Sequence, residues 1–248
     1  MNRDGHTVLS FENVSKSFGA KQVLCDVSFR VAAGESLCIL GRSGTGKSVT
    51  LKLMIALIKP DAGKIWIDQD EITQLNEQGL SRVRRKMGYL FQDAALFDSL
   101  TLYENLALPL IRLTKKPQGE VDVIVDKVLR QVGLAADKEC MPSSLSGGMR
   151  KRAGLARALM LEPQILLADE PSSGLDRITA SEIDELLMRQ KVECQTTVIA
   201  VTHNVQAARR LGDRFLVFDQ GHLIAEGTLA EVENSDNNIA RELICLTP

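Results

Sequence analysis

Eight consecutive residues, Gly41-Arg42-Ser43-Gly44-Thr45-Gly46-Lys47-Ser48, fit the spacing G-x-x-x-x-G-K-S/T without substitution. These residue types suit one chemistry, the gripping of a polyphosphate. Glycines let the backbone curl so that successive N–H groups point inward, and the start of a following helix adds its positive end. Lys47 supplies a mobile charge to the terminal phosphates, and the Ser48 hydroxyl can hold Mg2+. Context turns the short match into a physical site. An apolar strand, Ser36 to Leu40, precedes it, and the run Val49 to Ile58 predicts a buried helix that ends before Pro60.

A second constellation is Ile165-Leu166-Leu167-Ala168-Asp169-Glu170, an apolar strand ending in two carboxylates. Ligands of α/β sheets sit at that end of parallel strands. Asp169 suits Mg2+, held through water, and Glu170 suits the orienting and polarising of an attacking water. Alone, the pair also fits two solvated charges; beside the phosphate loop, chemistry is favoured. A third is Leu145-Ser146-Gly147-Gly148-Met149, which opens a helical pattern running to Leu161 and offers a second anion-binding end. One nucleotide needs only one such end unless two chains share it, and alone the segment fits a glycine-rich cap equally well.

The elements that must hold these residues follow from pattern. Val8 to Phe11, Val23 to Val31 and Lys64 to Ile67 read as strands, with a turn at Gly34-Glu35. Between Asp93 and Leu161 the character becomes helical. Leu102 to Ile111 is a short helix, and Val121, Ile124, Val128 and Val132 mark an apolar face in Gly119 to Val132. Thr114 to Gly119 and Asp137 to Ser144 connect these pieces. Strands resume at Ile165 to Ala168 and Thr197 to Val201, whose unalternating apolar runs fit parallel strands buried on both faces. Ala180 to Lys191 is a helix between them. Asp213 to Phe218 and Leu223 to Glu226 flank a hairpin turn, and Thr228 caps a final helix. The pattern is an α/β domain with a helical insertion.

Composition narrows the classes. The 248 residues suffice for one large domain or two small ones, and 44% apolar with 25% charged residues is ordinary for a globular chain. A net charge of -2 argues against nucleic acid held by a basic field. No apolar run reaches the roughly 18 residues a spanning helix needs, so a membrane role is expected through a partner. Residues Met1 to His6 lack a signal-peptide core. The five cysteines are scattered without Cys-x-x-Cys, pointing to a reducing cytosol and away from zinc, and Cys38 reads as a core residue.

Taken in order, the motifs resemble those of an ATP-binding cassette (ABC) ATPase subunit of a transporter. Walker A is Gly41 to Ser48, Gln92 stands for the Q-loop, Leu145 to Met149 for the signature, and Asp169-Glu170 ends Walker B. Ser173-Gly174-Leu175-Asp176 matches the D-loop, and His203 follows a strand. The likeness covers about Val8 to Val232. It implies a P-loop NTPase fold with a RecA-like parallel sheet core, an N-terminal antiparallel β subdomain and an inserted α-helical subdomain. The domain would span residues 8–240 and the insertion residues 93–161. It implies ATP and Mg2+ as ligands, with Gly41, Arg42, Ser43, Gly44, Thr45, Gly46, Lys47 and Ser48 around the nucleotide. Ser48, Gln92 and Asp169 would serve the metal, and Glu170, His203 and Gln92 catalysis. Phe18, in Ser15-Lys16-Ser17-Phe18-Gly19, matches the ring that stacks on adenine, though it also fits a core aromatic. A head-to-tail dimer is implied, with Ser146, Gly147 and Gly148 binding the terminal phosphate in trans and Asp176 linking the two sites. Integral membrane permease subunits would hold the chain on the cytoplasmic face of the inner membrane.

Two segments are similar to the narrower Mce/Mla-type lipid-transport ATPases. These are the Q-loop run Phe91 to Asn105, and Met149 followed by Arg150-Lys151-Arg152; Asp176 with Ile178-Thr179-Ala180 adds to them. That likeness implies phospholipid transport between bacterial membranes and an MCE-domain lipid-binding partner. Ala94, where that family usually has Gly, and Arg177, where it usually has Pro, depart from it, with milder variants at Ala168 and Ser172. Leu96, Phe97, Leu100 and Tyr103 could form a permease-docking patch or the helical block's own core. Other classes fit less well. DNA-repair cassettes carry long coiled coils between Walker A and the signature, translation cassettes carry two nucleotide domains, and sugar and methionine importers usually extend past this C-terminus. Amino-acid importers and a regulatory cell-division or cell-wall cassette remain alternatives.

Overall fold

Burial on both faces is what makes the central strands read as unbroken apolar runs. The structure, a computed structural model, describes residues 6–245. The chain opens with β1 (Thr7–Phe18) and β2 (Lys21–Ala32), then reaches the phosphate loop through β3 (Ser36–Gly41) and leaves it through α1 (Lys47–Met54). β4 (Ala62–Ile67), β5 (Asp70–Glu71), α2 (Glu77–Arg84) and β6 (Met87–Leu90) follow. Next come α3 (Leu102–Leu113), α4 (Gln118–Gln131) and α5 (Gly147–Leu159). β7 (Ile165–Asp169), α6 (Arg177–Cys194), β8 (Thr197–Val201) and α7 (Val205–Leu211) return to the sheet. The hairpin β9 (Arg214–Asp219) and β10 (His222–Gly227) precedes α8 (Leu229–Glu233) and α9 (Asn238–Cys245).

Among the described residues the strands form two sheets. One is antiparallel, ordered β2-β1-β4-β5; the other runs β10-β9-β3-β8-β7-β6 and is parallel except for β10 at its edge. Because β3, β8 and β7 are neighbours, their C-terminal ends open together, where parallel sheets receive ligands. Two-residue alternation divides these strands between two cores. Leu37, Ile39, Leu167, Ile199, Val201, Leu216 and Phe218 face the antiparallel sheet and α1, packing with Phe11, Leu24 and Leu51. Their neighbours Cys38, Leu40, Leu166, Ala168, Ala200, Phe215 and Val217 face Leu155, Ile183 and Leu187 on the helices opposite. Each such large side chain contributes on the order of 1.5–3 kcal/mol of burial. Burial also pushes the Cys38 thiol up to about 12.

A third core holds the helical block together, with Leu102, Leu106, Val121, Val125, Val128, Ala153 and Ala156 at its centre. Val125 takes the place predicted for Ile124, which packs only at the margin. The docking candidates divide between both readings. Leu96 and Tyr103 pack against this core, whereas Phe97 is exposed. No helix of the described residues is long and apolar enough to cross a membrane.

Local differences have physical causes. α1 begins at Lys47, earlier than the apolar run suggested, because its polar first turn belongs to the phosphate loop; it stops at Met54, and Ala56 takes φ 50°. α2 and β6 lie in a stretch where no element was expected. Ala94 sits at φ 59° and Ala95 at φ 50°, so the Q-loop run adopts the left-handed backbone that explains glycine's usual place there. That conformation costs an L-residue roughly 1–2 kcal/mol. Ala95→Gly relieves it on an exposed residue and loses about 0.4–1 kcal/mol to chain entropy, leaving a net stabilisation of about 0.5–1 kcal/mol. Ala94→Gly should be near neutral, because Ala94 is buried against Gly154 and its methyl is worth about 0.8 kcal/mol. Urea midpoints should rank Ala95→Gly above wild type and Ala94→Gly level with it; a destabilised Ala95→Gly would contradict this account.

Candidate functional site

Gly41 ends β3 where no side chain fits: a Cβ there would lie 2.4 Å from the Phe218 carbonyl oxygen. Gly46 holds φ 100° at the cap of α1, and a Cβ would meet the Val23 carbonyl oxygen at 2.7 Å. The loop between them therefore curls tightly around the N-terminus of α1. Thr45 Oγ1 donates to the Arg42 carbonyl at 2.8 Å and pins the turn. Lys47 folds back over the loop, its Nζ donating to the Gly41 carbonyl at 2.8 Å and the Arg42 carbonyl at 3.0 Å. Burial pulls its ammonium below the ordinary lysine range, while the nearby carboxylates of Glu170 and Asp169 oppose that pull.

β7 delivers the two carboxylates. Ser48 Oγ donates to Asp169 Oδ1 at 2.8 Å, and the Tyr89 hydroxyl donates to Asp169 Oδ2 at 3.3 Å. Burial and the Asp169 charge push the Tyr89 phenol well above its ordinary range, so it stays a donor. Glu170 sits at φ 48°, and its N–H donates to the Val201 carbonyl at 2.8 Å, just past the end of the strand. Its Oε1 lies 2.8 Å from His203 Nδ1, and the His203 N–H donates to Oε2 at 3.4 Å. His203 follows β8, and Asn204 beside it caps α7 by accepting from the Ala207 N–H at 3.1 Å.

These groups meet in a cavity of about 660 Å3. Ser43, Gly44, Gly46, Lys47 and Ser48 line one side, Gln92, Glu170 and His203 another. Phe18 stands at the same cavity and is 50% exposed, which removes the core-aromatic alternative. Gly41, Arg42 and Thr45 shape the loop from behind. A larger cleft of about 1090 Å3 lies along Phe11, Phe29 and Arg214, away from these groups. There Arg214 pairs with Glu35 and Glu226 and Lys191 with Asp213, whereas the smaller cavity gathers the loop, Glu170 and His203.

The signature residues are not brought to this cavity. Ser146 caps α5 by accepting from the Met149 N–H at 3.2 Å, and Ser146 and Gly147 are exposed. Gly148 is buried, with Thr179 so close that a Cβ would lie 2.4 Å from its Cγ2. Asp176 caps α6, accepting from the N–H groups of Ile178 and Thr179 at 3.0 and 3.1 Å and from Thr179 Oγ1 at 2.6 Å. The Thr179 hydroxyl leads those bonds in holding its carboxyl below the ordinary range. Arg177 occupies the first helical position, where proline is tolerated but not required.

Sequence patterns missed three contributors. Tyr89 lies in β6, which was not predicted. Asn105, fully buried, ties the Q-loop run to α3: its Nδ2 donates to the carbonyls of Phe97, Leu100 and Thr101, and its Oδ1 accepts from the Phe97 N–H at 2.8 Å. Lys151 stood out in the sequence only as one of the basic residues that follow Met149. Its signal was position, since Gly148, Lys151, Leu155 and Leu159 form one buried helical stripe.

A family model described as ABC transporter matches residues 24–173. The chain is 42% identical to the probable ribonucleotide transport ATP-binding protein mkl of Mycobacterium leprae over 236 residues, covering 95% of this chain and 68% of that protein. It is 38% identical to the methionine import ATP-binding protein MetN 1 of Bacillus cereus, covering 94% of this chain and 68% of that one. The chain thus spans about two thirds of the length of the curated relatives it matches. Among solved structures, the ATP-binding cassette MJ0796, a dimer in a post-hydrolysis state bound to ADP and Pi, aligns at TM-score 0.83. That likeness has 33% identity and covers 89% of this chain and 98% of that one. CbiO1 from Clostridium perfringens, part of the transporter complex cbiONQ, aligns at 0.82 with 27% identity over 95% of this chain and 98% of that one.

Proposed function

The chain belongs to the ABC transporter family as an ATPase, and on that premise we propose that it energises movement of phospholipid or another lipid between bacterial membranes through an Mce/Mla-type permease. The observation that carries the ATP chemistry is the convergence of Lys47, Ser48, Glu170 and His203 on one cavity from three separate segments. In this reading the loop N–H groups and Lys47 grip the triphosphate while Phe18 stacks on the adenine. Ser48, Asp169 and Gln92 are oxygen donors of the kind Mg2+ prefers, and the ion, when bound, neutralises charge developing on the phosphates. Glu170 accepts the proton of the attacking water, and His203 fixes its carboxylate. Ser146, Gly147 and Gly148 complete the site of a second copy, with Asp176 at the junction; the exposure of Ser146, Gly147 and Asp176, and the absence of all four from the lining of this chain's own cavity, support that arrangement.

The lipid assignment rests on the Q-loop run Phe91 to Asn105 and on Met149-Arg150-Lys151-Arg152. A second reading, transport of a small solute, is favoured by the ribonucleotide transport and methionine import named for the mkl and MetN relatives. Attachment to the cytoplasmic face of the inner membrane would come through the permease, with an MCE-domain protein as further partner. Purification with the native membrane partner, followed by reconstitution in liposomes with labelled phospholipid, tests the assignment. ATP-dependent transfer of lipid, with a permease and a single-span lipid-binding protein in the complex, is the expected result. ATP-dependent uptake of a nucleotide or methionine without lipid movement would replace it.

A further inference from the structure

We propose that Lys151 is a positioning residue for hydrolysis, holding the backbone of Glu170 so that its carboxylate faces the attacking water. The proposal rests on Glu170 being the base. Lys151 lies on α5, one turn beyond the signature glycines, and is only 7% exposed. Its Nζ donates to the Glu170 carbonyl at 2.8 Å and to Ser173 Oγ at 3.4 Å. Ser173 Oγ donates to the same carbonyl at 2.9 Å, and the Ser173 N–H reaches it at 3.2 Å. One carbonyl thus accepts from three donors, an unusual concentration on a single backbone group.

That concentration has a reason in the backbone. Glu170 occupies φ 48°, a conformation that costs a non-glycine residue about 1–3 kcal/mol and persists only where its surroundings over-determine it. The Lys151 ammonium is the charged member of the set, and bonds from a charged donor run roughly twice as strong as neutral ones. Placing an ammonium in a buried helix stripe is costly. Burial draws it below the ordinary lysine range, and the carboxylates of Asp93, Glu170 and Asp169 counter that draw. A neutral hydrophobic residue would fill the stripe at less cost, so the charge at this position needs a use. The Glu170 carbonyl provides it. Lys151 also joins the signature helix, the end of β7 and the loop before α6 at one atom.

Lys151→Met keeps most of the side-chain volume and removes the donors. With turnover expressed per ATP-binding-competent site, kcat should fall at least tenfold while KM for ATP stays within threefold. Lys151→Gln, as short as methionine but with an N–H donor, folds more safely and should lie between, with kcat down about three- to tenfold and the same KM. A purely structural role would instead lower the competent fraction and leave kcat per site unchanged in both variants, and that result overturns the proposal. So does Lys151→Gln at wild-type kcat if the Met variant does not fold. Glu170→Gln run in parallel separates the two layers. If it is inactive while Lys151→Met turns over normally, only the positioning role fails; if it is active, the base assignment fails first.

Discussion

Glu170→Gln is expected to lower ATP turnover about 10²–10⁴-fold, the usual contribution of a positioned base, while ATP binding persists. The substitution is nearly isosteric, so the cavity keeps its shape and the carbonyl still meets Lys151. One amide oxygen can still pair with His203, which lies 2.8 Å from Oε1 in the native site. What disappears is proton acceptance. The phosphate loop is untouched, because Gly41, Arg42 and Lys47 bond among themselves and not to the Glu170 side chain. Removing one negative charge from each nucleotide pocket also favours the closed, ATP-bound pair of chains, which should accumulate on light scattering with Mg2+-ATP. Phosphate release and equilibrium ATP binding measured together decide the matter. Turnover within threefold of wild type would show that another group takes the proton.

The parts legible in the sequence are those where one local rule decides. The phosphate loop is set by glycine sterics and one lysine, and the strands around it by apolar runs that no surface element tolerates. Residues that act through tertiary contact were less visible. α2 buries only Leu80 and Val83, with Gly79 inside it, so it carries too few apolar residues to show a period. β6 has four residues, one of them Gly88, and earns its place by pairing with β7. Phe18 was favoured as the adenine-stacking ring but kept a core alternative, because an aromatic beside glycine carries no sign of its exposure. Lys151 shows the sharper lesson: between Arg150 and Arg152 it is one basic residue of three, and only helical phase turns it inward. Ala94 is the converse case. It departs from the family's usual glycine, yet the backbone takes the glycine-type conformation regardless.

Lys47→Ala should abolish productive ATP binding at millimolar nucleotide or, where binding survives, turnover. Two effects act in the same direction. The first is electrostatic: a unit charge about 4 Å from a phosphate, at an effective dielectric near 20, is worth about 4 kcal/mol, or about 10³-fold in affinity or rate. The second is structural. Lys47 is buried and its ammonium bridges the Gly41 and Arg42 carbonyls. Without it those acceptors turn to water and the empty loop loses its internal brace. Lys47→Met separates the two effects, since it restores the side-chain volume without the charge. If charge dominates, the Met variant should be as inactive as the Ala variant while melting closer to wild type. If packing dominates, Met should recover much of the activity. Nucleotide affinity by fluorescence titration and melting with and without ATP supply both readouts. An Ala variant with wild-type affinity and rate would mean that the triphosphate is not gripped at this loop, and the reading of the cavity as an ATP site would fall with it.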